Sequence, residues 1–146
     1  MEIIKASLAH IDLVAPLFNE YRVFYQQEDD LPAAKAFLTA RLQNNESVIF
    51  LASVDGKAAG FTQLYPIFSS ISMGKSWLLN DLFVNENFRK KGLGKALLEA
   101  AQGLANTTKA KWTMLQTATD NYNAQSLYEA TGYRKDESFF TYYRYL

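Results

Sequence analysis

From Ser76 the chain reads SWLLNDLFV, then NENFRKKGLGK, then a stretch in which Leu93, Leu97, Ala101, Leu104 and Ala105 recur at helical spacing. The first run is apolar and β-prone. The second is a basic glycine turn, and the third is an amphipathic helix with Lys95, Glu99 and Gln102 outside its apolar stripe. A strand that passes through a glycine turn directly into a helix builds a sheet with a helix laid on its face. Asn80 and Asp81 interrupt the apolar strand, and polar groups at such positions require a reason.

The flanking segments fit the same architecture. Ile3-Ile4 predicts a short first strand, and Ser7 can cap a helix whose Ile11, Val14, Ala15 and Phe18 form one apolar face, with Pro16 expected to kink or shorten it. Pro32 can start a second helix carrying Phe37, Leu38 and Leu42. Residues Ser47 to Val54 and Ala58 to Tyr65 are β-prone runs joined by Asp55-Gly56-Lys57, a strong hairpin signal. A loop is expected from Pro66 to Lys75. Beyond the central helix, Trp112 to Ala118 reads as a fifth strand, Asn123 to Thr131 as a short helix capped by Gly132, and Phe139 to Tyr145 as a last strand. The 146 residues contain no repeat or linker-like tract, so 1–146 reads as one domain of mixed α/β class.

Composition narrows the chemistry. Lys+Arg 15 balances Asp+Glu 15, which removes the whole-molecule attraction of a nonspecific nucleic-acid or anionic-membrane binder. With Cys 0 there is no disulfide, thiolate metal site or cysteine nucleophile. His10 is the only histidine, placed on the first helix far from any nucleophile signature, and no two metal-ligand types stand at a diagnostic spacing, so no metal is expected. The start MEIIKASLAH lacks a basic, then apolar, leader, and no apolar run approaches the roughly 18 residues of a membrane span. A cytoplasmic protein is expected.

Arg89-Lys90-Lys91-Gly92-Leu93-Gly94-Lys95 places four cations and two glycines at a helix start, where free N–H groups and close backbone approach suit a phosphorylated ligand. A phosphate-loop NTPase would need Gly at Arg89 and Ser or Thr at Ala96. A dinucleotide fingerprint would need Gly at Leu97 and an acid near Met114. Neither fits. A solvated basic face is the plain alternative.

This loop, preceded by LNDLFV and followed by Asn123 to Tyr128 (N-x-x-x-x-Y) and Gly132-Tyr133, resembles the general-control-related N-acetyltransferase (GNAT) superfamily. The resemblance is specific from Trp77 to Tyr133. It implies a central mixed, mostly antiparallel, twisted sheet of about six or seven strands with about four helices, whose splayed central strands hold acetyl-CoA. It further implies that Leu82, Phe83 and Val84 serve the pantetheine arm, with a strand bulge near Leu82 or Val84 offering an N–H to the oxyanion. Arg89, Lys90, Lys91, Gly92, Leu93, Gly94 and Lys95 would hold the pyrophosphate, with Asn123 and Tyr128 beside the cofactor.

Amine acetylation needs a neutral nitrogen, oxyanion stabilisation and a proton for the departing thiolate. By resemblance Tyr128 is the acid. Polyamine-acetylating relatives carry a Glu-Asp pair where this chain has Asn80-Asp81, so Asp81 could take the amine proton directly or through water, or Asn80 could only orient the amine. Tyr21, Phe24, Tyr25, Gln63 and Tyr65, with Glu28, Asp29 and Asp30 nearby in sequence, suit a small cationic amine. The expected activity is acetyl transfer to a small primary amine. A protein lysine or N-terminus as acceptor, or a CoA-binding module with little catalysis, remain open beside it. Phe139-Phe140-Thr141-Tyr142-Tyr143 is a plausible dimer surface or substrate wall, and a homodimer is expected.

Overall fold

The computed structural model describes residues 1–146, which divide into two compact units, Met1–Gln116 and Thr117–Leu146. The first contains β1 (Glu2–Lys5), α1 (Ile11–Phe24), α2 (Leu31–Gln43), β2 (Val48–Val54), β3 (Lys57–Ser69), β4 (Gly74–Val84), α3 (Leu93–Thr107) and β5 (Thr113–Met114). The strands form one sheet in sequence order, antiparallel from β1 to β4 and parallel between β4 and β5, with α3 as the crossover.

Helices cover the sheet with two distinct clusters. Val14, Ala15 and Phe18 of α1 and Leu38 of α2 pack with Ile49, Leu51, Phe61 and Phe83. Leu93 and Leu97 of α3 join Ala52 and Ala59, flanked by Leu82, Val84 and Phe88. These are the apolar positions that helical spacing identifies.

Local expectations are corrected in three places in this unit. Pro16 does not shorten α1, which continues to Phe24, because the bond it removes would fall on the carbonyl of Asp12, an exposed residue open to water. The stretch from Pro66 to Lys75 is not a loop. β3 and β4 extend as a long hairpin through Pro66↔Trp77 to Ser69↔Gly74, turning over residues 70–73. Pro66 is tolerated because the β3 N–H at that parity faces β2, whose pairing has already ended at Val48↔Leu64. The fifth strand is only Thr113–Met114 rather than Trp112 to Ala118.

Ser7 caps a single 3-10 turn, Leu8–His10, and the ring Nδ1 of His10 accepts from the Ser7 backbone N–H at 3.0 Å. The lone histidine therefore belongs to a reciprocal cap. Asp30 caps α2 by accepting from the Ala33 N–H, and Asp29 accepts from Asn19 Nδ2 at 2.7 Å, so two of the three clustered acids fix the α1–α2 connection.

The second unit contains α4 (Tyr122–Ala130), started by Asn121, whose side chain accepts from the Ala124 N–H. Gly132 follows with φ 99, a conformation that favours glycine. The expected strand from Phe139 to Tyr145 is absent, so the sheet has five strands rather than six or seven. Aromatic β-propensity needs a partner ladder to become a strand, and Phe140 is 91% and Tyr142 90% exposed.

Candidate active site

The polar interruption of β4 has a structural cause. Gln63 stands opposite Asp81 and Leu64 opposite Leu79, so Asn80 is an extra residue, a β-bulge. The bulge changes which face the strand presents. Before it, Trp77 points toward α3, its Nε1 donating to Thr108 Oγ1 at 2.9 Å. After it, Phe83 lies against Tyr21 of α1, with ring centroids 6.2 Å apart. Asp81 shares this second face. The expectation of a bulge near Leu82 or Val84 is thus corrected: those residues continue in regular register with Thr62 and Gly60.

Asp81 is 4% exposed and sits among neutral donors. Gln63 Nε2 donates to its Oδ2 at 2.8 Å, and Asn80 Nδ2 to its Oδ1 at 3.1 Å. The Tyr21 hydroxyl adds a third hydrogen bond. Thr62 Oγ1 donates to the Asp81 backbone carbonyl at 2.8 Å, a contact with no signal in the sequence. No Lys or Arg forms an ion pair with the carboxylate. Burial pushes the Asp81 carboxyl above the usual carboxylate range, and the bonds from Gln63, Tyr21 and Asn80 hold it partly back.

Tyr21 thus joins Asp81 directly. Tyr25 packs edge-on against Tyr21 at 5.0 Å and Phe24 against Tyr25 at 5.2 Å, forming an exposed aromatic rim at the end of α1. Tyr65, half-buried on β3, has its phenol pushed up to about 12 by burial and then by the charge of Asp81, while Arg41 and a hydrogen bond from Gln63 pull it down. Arg41 pairs with Glu46 at 3.2 Å and lies over the Phe37 ring. Arg41 and Glu46 escape sequence reading because only the tertiary fold carries their charges toward Tyr65.

The other edge of β4 is open. Its pairing with β5 stops at Leu78↔Met114, whereas β4 runs on to Val84. The Asn85 N–H bonds to the Ala59 carbonyl at 2.9 Å. Counting back by alternation, Phe83 turns its N–H and C=O toward β3, while Leu82 and Val84 turn theirs to the edge that β5 has left. Arg89 Nε donates to the Val84 carbonyl at 2.9 Å, which anchors the basic loop to this edge.

Within the loop, Lys90 has φ 62 and Gly92 φ 81, both left-handed. A Cβ on Gly92 would meet nothing within 4 Å, so glycine is required there by conformation rather than by space. Gly92 is the N-cap of the 15-residue α3, and no side chain caps that end. The leading amides of Leu93, Gly94 and Lys95 are therefore available to an anion, with the side chains of Lys90, Lys91 and Lys95 exposed around them. Lys91 Nζ rests 5.5 Å from the Phe88 ring and Lys95 Nζ 3.9 Å from Glu99.

In the second unit, Asn123 is exposed in the first turn of α4 and Tyr128 is half-buried near its end. The Tyr128 and Tyr133 rings meet edge-on at 6.1 Å, and the Tyr133 N–H bonds to the Tyr128 carbonyl at 3.0 Å. Across the molecule no group of three or more His, Cys, Asp or Glu side chains is placed to hold a metal ion, and no helix is long and apolar enough to cross a membrane.

Comparison with known proteins places these features in a family. The chain is 51% identical over 142 residues to the uncharacterized N-acetyltransferase YhfO of Bacillus subtilis, covering 97% of this chain and 95% of that protein. It is 33% identical over 135 residues to a probable acetyltransferase of Haemophilus influenzae, covering 92% and 90%. A crystal structure of a probable acetyltransferase superposes with a TM-score of 0.95 at 41% identity, covering 100% of this chain and 98% of the other. Residues 13–133 match the Acetyltransferase (GNAT) family, and the chain belongs to that family as an N-acetyltransferase.

Proposed function

We propose that the protein transfers the acetyl group of acetyl-CoA directly to a primary amine of a small molecule. The observation that carries the acceptor class is Asp81: a buried carboxylate held by three neutral donors and paired with no cation of the protein. An ammonium entering beside it supplies the missing positive charge. A relative of 24% identity over 147 residues, from Caenorhabditis elegans, is named thialysine N-epsilon-acetyltransferase, which supports a small amine acceptor.

Bound acetyl-CoA would supply an activated acetyl thioester. The residues that fit it are the open-edge backbone groups of Leu82 and Val84 beside Phe83, the uncapped amides of Leu93, Gly94 and Lys95, and the cations Arg89, Lys90, Lys91 and Lys95 around Gly92. Asn123 and Tyr128, on the second unit, are assigned to the cofactor by the resemblance of their N-x-x-x-x-Y motif to the family's.

Asp81 accepts the proton that turns the acceptor ammonium into a nucleophilic amine, and the raised basicity of its buried carboxylate suits that task. Asn80 fixes Oδ1 and, as the exposed residue of the bulge, orients the amine. An edge N–H of Leu82 or Val84 steadies the developing oxyanion. The Tyr128 hydroxyl gives a proton to the departing sulfur. Tyr21, Phe24, Tyr25 and Tyr65 form the acceptor side, whose aromatic rim favours a cation, and the buried Gln63 serves it through its bond to Asp81.

We further propose that the chain works as one domain in the cytoplasm and as a homodimer, the exposed aromatic tail from Phe139 to Tyr143 contributing to the contact between copies. Free-thiol release from acetyl-CoA, measured against polyamines, amino acids, aminoglycosides and lysine peptides, tests the activity. The protein's own Cys 0 leaves no background thiol. Release with a small amine supports the reading. Release with peptides alone would replace it by a protein acetyltransferase, and CoA binding without release from any amine would leave a binding module.

A further inference from the structure

Three neutral groups hold the Asp81 carboxylate, and they are not equivalent. Tyr21 reaches it from α1, and Asn80 is the exposed residue of the bulge itself. Gln63 is 0% exposed, directly opposite Asp81 in the strand register, and makes the shorter of the two amide contacts at 2.8 Å. Two hydrogen-bonded strands fix both ends of that contact, so neither side chain has room to swing away.

The arrangement leaves a defect. Gln63 Oε1 is buried without any hydrogen-bond partner, although its Nε2 is engaged. An apolar side chain of similar length would fill this position in the sheet without leaving an acceptor unsatisfied. What an apolar side chain cannot do is donate to Asp81. A neutral N–H aimed at a carboxylate favours its ionised form, against the burial that favours its protonated form.

We infer that Gln63 is a positioning residue for acetyl transfer: it fixes the orientation of the Asp81 carboxylate and keeps it ionised, ready to take the acceptor's proton. This rests on the reading of Asp81 given above. The other titratable groups near the carboxylate are Tyr21 from α1 and Tyr65 from β3, with Arg41 of α2 and Glu46 beyond it acting on Tyr65. Of the side chains bonded to Asp81, Tyr21 alone can itself ionise.

The test uses the full chain with two substitutions, Gln63→Leu and Gln63→Glu. Carboxyl titration by carbon-13 NMR, with the Asp81 resonance assigned by its loss in Asp81→Asn, is compared with the pH profile of kcat/KM for the acceptor amine. Gln63→Leu is expected to move the Asp81 titration up by about one pH unit. The acid limb of kcat/KM should move by the same amount, with the KM for acetyl-CoA unchanged. Gln63→Glu places two carboxylates side by side and is expected to raise the titration further, which keeps the test alive if the leucine variant does not fold. Tyr21→Phe removes a second donor to the same carboxylate and is expected to move the titration in the same direction, whereas a merely structural Gln63 would lower activity without displacing the limb.

An Asp81 resonance that titrates at the wild-type pH in both Gln63 variants overturns the inference. A resonance that moves while the acid limb stays still also overturns it, and removes Asp81 from proton transfer. Absence of thiol release from the wild-type protein would instead defeat the proposed activity, and the NMR titration would still report whether Gln63 governs Asp81.

Discussion

Leu79 and Asp81 stand two positions apart on one strand yet face opposite sides of the sheet, because Asn80 between them is a bulge with no partner on β3. In a regular strand they would share a face. The inserted residue lets the first part of β4 serve the α3 layer through Trp77 while the second part turns Asp81 toward α1. A polar pair that interrupts an apolar strand is in this way the device that creates the site.

Asp81→Asn separates catalysis from stability. Burial raises the folded carboxyl above its ordinary value of 3.8, so the folded state holds its proton to higher pH than the unfolded chain does. Stability is therefore lost as pH rises from 3.8 toward the raised value, and the ionised carboxylate remains a burden above it. Asparagine, uncharged and still able to accept from Gln63, is expected to match or exceed the wild-type Tm at pH 7. Thiol release should fall by about 100-fold or more. Thermal melts and initial rates on the same preparation check both.

Tyr65→Phe addresses the alkaline side. The unfolded phenol ionises near 10.0, whereas the folded one is pushed up to about 12. The unfolded chain thus loses this proton first, and stability attributable to Tyr65 declines between those two values. Denaturant midpoints measured from pH 9 to pH 12 should fall less steeply in the phenylalanine variant. Equal slopes would show that the Tyr65 phenol ionises alike in both states.

Gly92→Ala tests the loop through its backbone. There is space for the methyl group, but φ 81 is strained for alanine, at a cost of about 1–2 kcal/mol. Relief of that strain would turn the amides at the start of α3 away from an anion. The expected outcome is CoA affinity lower by roughly tenfold, the equivalent of 1.4 kcal/mol, with little change in KM for the amine. Calorimetric titration with CoA measures it, and unchanged affinity would detach the loop from cofactor binding.

Tyr128→Phe keeps the ring that packs against Tyr133 and removes only the hydroxyl. A general acid contributes about 10²–10⁴-fold, so kcat should drop within that range while the Kd for CoA holds. A rate equal to wild type would assign the phenol to packing alone.

The sequence by itself determined the elements that local chemistry governs. Ser7 caps the 3-10 turn that leads into α1, Pro32 stands in the first turn of α2, Asp55-Gly56 turns a hairpin, and the apolar spacing of Leu93, Leu97 and Ala101 matches the buried stripe of α3. The basic glycine loop at the start of that helix was legible for the same reason, since left-handed backbone and free amides are properties of a few consecutive residues.

What needed the tertiary structure depends on partners distant in the chain. Whether Pro66 ends a strand depends on where β2 stops, and whether an aromatic tail becomes a strand depends on a neighbour to pair with. Asn80 and Asp81 were visible as polar, but their register against Gln63 and Leu64 turned one into a bulge and the other into a buried carboxylate. Gln63 on β3 and Tyr21 on α1 are separated from Asp81 by long stretches of chain, and only packing sets their hydrogen bonds to it. Capping and periodicity act over one turn or a few residues of strand, whereas the charge state of a buried group is decided by whatever the fold brings against it.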